Sequence, residues 1–157
     1  MEQAKKYKEI TNRKSTLVRY FYVGAMLLFY LSYILLENYR HHQSEKWKSI
    51  NNLTLQDVQA IQQLAYWNTV LESLFIGLFL IGALFLYKKN REKLIYFIVL
   101  NICLFAFLFI MSYILSFFVQ LPIGNLTQPL LIPTFILVPL MFYSSFISLK
   151  QRLGRSI

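Results

Sequence analysis

Few side chains in this sequence are placed to do chemistry, and those few gather in two places. Asn68 and Glu72 are four residues apart. On a helix they share a face with Phe75 and Phe79, a polar mouth above an aromatic wall. Glu72 is the one ionisable side chain in the apolar stretch around it, so Glu72 and Asn68 form a candidate substrate, ion or proton site. The alternative is an interfacial carboxylate whose side chain reaches back to water. Glu37, His41 and Glu45 recur at i, i+4 and i+8, so a helix continued through them aligns all three. Two carboxylates and an imidazole suit a divalent cation, and a histidine titrating near about pH 6.5 suits a pH sensor. Three ligands on successive turns of one helix rarely converge on one ion. The spacing therefore marks a candidate pH-sensing group on an ordinarily solvated helix end, and no metal site is assigned.

Other chemistries lack their residues. Cys103 is the single cysteine, which excludes an intramolecular disulfide and paired-thiol redox chemistry and leaves it as a small packing residue. Neither histidine lies in an apolar stretch, so paired-histidine haem ligation has no donors. No H-E-x-x-H, G-x-S-x-G or glycine-rich phosphate loop occurs. The expectation is a protein that is not an enzyme, with no catalytic residues and no cofactor.

The elements that hold these residues are set by hydropathy. Of 157 residues 57% are hydrophobic and only 15% charged, against about a quarter charged in a soluble domain. From Leu94 to Leu149, 56 consecutive residues carry no charge. A bilayer core of about 30 Å needs roughly 20 apolar residues in a helix. Four spans satisfy this, at about 20–36, 68–87, 94–119 and 130–149. Gln120 to Pro129 gathers turn formers and amides between the last two, as a hairpin at the water interface does. The fold class is all-α: one domain over 1–157, an integral membrane bundle of four transmembrane helices. Pro133 and Pro139 predict a kinked or broken fourth helix, and Ser73/Gly77, Ser112/Ser116 and Ser144/Ser148 are small-residue pairs suited to close helix packing.

Residues 37–67 form the only sizeable connection, an outer loop and amphipathic helix. Thr54 can cap a helix and Asp57 favours its positive end. Leu55, Val58, Ile61 and Leu64 then recur every three residues as one apolar stripe, a candidate partner-docking face. No Pro or Gly intervenes before Gly77, so this helix should run into the second span and extend outward. The sequons at Asn52 and Asn125 are read as chance.

The net charge of +9 has a topological explanation. The N-terminal segment, the second connection and the tail hold thirteen of the sixteen basic residues, which places both termini in the cytoplasm by the positive-inside rule. The charge then meets an anionic inner leaflet, and no nucleic-acid partner is needed. Lys/Ile/Asn/Phe-rich usage suggests a bacterial cell membrane.

The run Arg19-Tyr-Phe-Tyr-Val-Gly24 resembles the first-span opening of small flippases for lipid-linked sugars. The likeness covers six residues, and the aromatic and arginine signature of that family after its second and fourth spans is absent, so the family is not assigned. The expected function is non-enzymatic: a small membrane protein acting through protein–protein interaction, as an accessory subunit, scaffold or immunity protein against a membrane-active toxin. The alternative is a minimal oligomeric transporter or lipid flippase using Glu72 and the broken fourth helix.

Overall fold

The computed structural model describes the backbone of residues 2–48, 54–89 and 91–153, and the side chains within 16–47, 54–84 and 94–146. Among the described residues all the regular secondary structure is helical, in four elements: α1 (Glu2–Lys48), α2 (Leu55–Lys89), α3 (Arg91–Val119) and α4 (Ile123–Leu153). Each contains a stretch long and apolar enough to cross a membrane: Thr16–Trp47, Leu55–Leu84, Leu94–Val119 and Ile123–Phe146. The chain thus has the architecture of a multi-pass membrane protein. Apart from Arg19, the basic residues of the N-terminus, second connection and tail lie outside the described side chains, as does Asn52 of the first sequon.

α1 is much longer than its apolar stretch. It continues without a break past Glu37 to Lys48, so 37–48 is helix and the first connection shrinks to the residues before Leu55. α2 begins where its cap predicts. Thr54 Oγ1 accepts from the Asp57 amide at 3.3 Å, and the Asp57 carboxylate accepts from the Thr54 amide at 3.0 Å and its hydroxyl at 2.6 Å. This is a reciprocal capping box, which satisfies two main-chain donors at once.

α4 begins at Ile123, seven residues earlier than the apolar pattern suggests. The turn is confined to Gln120, Leu121 and Pro122: Gln120 adopts a left-handed conformation (φ 58°), which ends α3 as such residues commonly do. Ser116 closes it by donating to the Leu121 carbonyl at 2.6 Å. The expected break in the fourth helix is not found, because α4 is one helix through Pro129, Pro133 and Pro139.

α1 packs chiefly along α2 and α3 along α4, with α2 also touching both α3 and α4. Aromatic rings fill the centre in a connected series: Tyr30 on Phe75, Phe75 on Phe105, Phe105 on Phe79, Phe79 on Phe97, and Phe97 on Tyr22. Close approach occurs at Gly82, where a Cβ would lie 2.9 Å from Phe97. Ser73 is exposed and Gly77 has nothing within 4 Å of where its Cβ would be, so that pair is not a packing seam within the chain.

Candidate functional site

The site is built from a single face of α1. Tyr22, Met26, Tyr30, Tyr33 and Glu37 recur at intervals of three or four, so they line one side of the helix. Their polar ends meet partners on the other helices. Tyr22 donates to Asn101 Oδ1 at 2.7 Å, and Asn101 donates in turn to the Phe97 carbonyl at 2.9 Å. Ser112 donates to the Leu108 carbonyl at 2.8 Å, which leaves its oxygen to accept from Tyr30. Tyr33 donates to the Asn125 carbonyl at 2.9 Å. That carbonyl needs an outside donor, because Pro129, four residues on, has no amide to return to it.

Glu37 ends the face, and it is only 1% exposed. Arg40 grips it as a fork, Nε to Oε2 at 2.8 Å and Nη2 to Oε1 at 2.7 Å. Asn125 of α4 donates to Oε1 at 2.8 Å, and Asn68 of α2 donates to Oε2. Each carboxylate oxygen therefore accepts two hydrogen bonds, and one side chain ties three helices together. A buried carboxylate is tolerated only when paired and saturated in this way. Glu37 is thus no solvated helix end. His41 is half-buried and Glu45 exposed on the turns beyond it, and no group of three His, Cys, Asp or Glu residues placed to hold a metal ion occurs among the described residues.

Asn68 and Glu72 do share a face of α2, but they answer to different neighbours. Asn68 is buried against Glu37, while half-buried Glu72 accepts from Gln128 of α4 at 3.1 Å. Gln128 Oε1 lies 3.5 Å from the Tyr33 hydroxyl. Tyr33 and Gln128 are site residues that the sequence reading passed over, as it did the roles of Arg40 and Asn125 at Glu37. Their signals were an Arg three residues after a Glu, and an Asn four residues before a Pro.

In the candidate docking stripe, Leu55 is 76% exposed and Val58 is also exposed, whereas Ile61 and Leu64 are partly covered. Exposed Tyr66 and Trp67 meet edge-to-face just beyond. At the opposite end of the bundle, the Arg19 guanidinium sits 4.1 Å above the centre of the Tyr96 ring, a cation–π contact. No family model, curated protein or solved structure matches this chain.

Proposed function

We propose that this chain is a non-enzymatic integral membrane protein that acts by contact with a protein partner, as an accessory subunit, scaffold or immunity protein against a membrane-active toxin. Its setting is a bacterial cell membrane, with both termini cytoplasmic and basic segments against anionic inner-leaflet lipid. The Glu37 end of the bundle then faces outward, α2 projects beyond the bilayer there, and the prolines of α4 bend that helix to fit. No nucleic-acid partner enters this reading.

The observation that carries it is the exposure of Leu55 and Val58 on the first turns of a capped helix. Interior polar groups favour the same view. Glu37 is saturated by its neighbours, and connected aromatic rings occupy the bundle centre beneath it.

The test is photo-crosslinking from positions 55 and 58 in native membranes, followed by affinity purification. A stoichiometric partner trapped from both positions supports the reading. A lone homo-oligomer carrying bound lipid overturns it in favour of a minimal oligomeric transporter or flippase. The Glu72–Gln128 contact at the α2–α4 seam is the feature that second reading would use. It requires Glu72→Gln to abolish ion-coupled activity in vesicles.

A further inference from the structure

Two acceptors beside Glu37 have fewer hydrogen bonds than they can take. The described hydrogen bonds run from Arg40, Asn68 and Asn125 to Glu37, from Gln128 to Glu72, and from Tyr33 to the Asn125 carbonyl. Acceptors are left over. Asn68 Oδ1 is buried and meets no donor among the described residues, in a side chain only 7% exposed. Glu72 accepts from Gln128 alone among the described contacts, which leaves most of its lone pairs open.

Charge is unbalanced in the same direction. Arg40 neutralises Glu37 and is held there by its two-pronged grip. Glu72 adds a second negative charge, and the described groups facing it are neutral, Gln128 from α4 and Tyr33 from α1. Glu72 lies one helical turn beyond Asn68 on the same face of α2.

We propose that Asn68 and Glu72, flanked by Tyr33 and Gln128, bind one monovalent alkali cation, with Na+ the first to try. The ligands are hard oxygens: the Asn68 amide oxygen, the Glu72 carboxylate and the Tyr33 hydroxyl. One surplus negative charge matches one positive charge, whereas Ca2+ and Mg2+ are held by oxygen cages richer in carboxylate and water. A proton on Glu72 would cancel the charge but leave Asn68 Oδ1 without a partner. A cation answers both deficits. The site stands apart from partner docking, which uses the first turns of α2.

The experiment uses the full chain in detergent, in NaCl or in N-methyl-D-glucamine chloride at equal ionic strength. Bound radioactive sodium and the thermal midpoint are both followed. Saturable binding of one ion per chain is expected, with a rise in midpoint that sodium gives and the bulky cation does not. Glu72→Gln keeps a hydrogen-bonding partner for Gln128 and removes the charge; it should lose both the bound sodium and the rise. Equal wild-type midpoints in the two salts with no bound sodium would overturn the site. So would a sodium response that survives Glu72→Gln, or one reproduced in full by acidification without sodium. The wild-type binding measurement decides the matter even if the variant does not fold. Loss of the cation site would leave the crosslinks from 55 and 58 unchanged.

Discussion

The Tyr33 hydroxyl donates at 2.9 Å to the main-chain carbonyl of Asn125, the acceptor that Pro129 leaves without a helical amide. A proline inside one helix is thereby answered by a tyrosine on another. Tyr33→Phe should cost about 0.5–2 kcal/mol, the range for interhelical and partly buried hydrogen bonds. Pro129→Ala restores an amide to that carbonyl, so in its background Tyr33→Phe should cost distinctly less. Unfolding of the four variants in denaturant measures the coupling as a double-mutant cycle. Equal costs in both backgrounds would show that the tyrosine does not compensate for the proline.

Glu37 and Arg40 predict an asymmetry. Arg40 is 36% exposed and Glu37 1%. Arg40→Met leaves a buried carboxylate held only by two amides. We expect a loss of about 2–3 kcal/mol, below the 3–5 typical of a fully buried pair because Arg40 already touches water. Glu37→Gln should cost less, since the freed guanidinium can turn to solvent. The double variant should recover part of the Arg40→Met loss. Midpoints from thermal unfolding in detergent, read by size-exclusion, rank the three.

The four helices were legible because charge is excluded from long runs, and the α2 start was legible because Thr54 and Asp57 are a local pair. The burial of Glu37 was not. A carboxylate at the end of an apolar run reads as water-facing, and its partners Asn68 and Asn125 lie 31 and 88 residues away. Local hydropathy carries no information about such partners. The early start of α4 was hidden for a related reason. Pro, Gly, Asn and Gln between 120 and 129 have turn chemistry, yet Pro129 is accepted within the helix because Tyr33 supplies the missing donor. Tertiary contact overrode local propensity in both cases.

Gly82 and Gly77 should respond oppositely to alanine. At Gly82 the new Cβ would meet the Phe97 ring at 2.9 and 3.2 Å and Tyr22 at 3.3 Å. Phe97 cannot retreat freely, because it is stacked on Phe79 and packed against Tyr22. Gly82→Ala is therefore expected to destabilise by about 1–3 kcal/mol, the usual range for overpacking. Gly77 has nothing within 4 Å, so Gly77→Ala should gain up to about 1 kcal/mol of helix propensity. Thermal midpoints of the two variants check the pair. A loss at Gly77 equal to that at Gly82 would mean that α2 has a packing partner on that face too.

The start of α2 should loosen in acid. The hydroxyl and amide hydrogen bonds from Thr54 hold the Asp57 carboxyl below its ordinary value of 3.8. A carboxylate whose pKa is lower folded than unfolded stabilises the fold above the unfolded value and loses that contribution as pH falls through the folded one. The loosening therefore begins below about pH 4, where a free Asp would protonate, and is complete only below the depressed folded value. Hydrogen exchange at the amides of 55–58, expressed as protection relative to the unfolded rate, should fall across that interval. Asp57→Asn removes the titrating group and should flatten the profile. Thr54→Ala removes the hydroxyl donor, so Asp57 should titrate closer to its ordinary value and the loss should begin at the same pH but finish sooner. Unchanged protection of the wild type down to pH 2 would refute the cap as an electrostatic device. Because Leu55 and Val58 ride on this first turn, the same acid step should also weaken crosslinking to a partner from those positions.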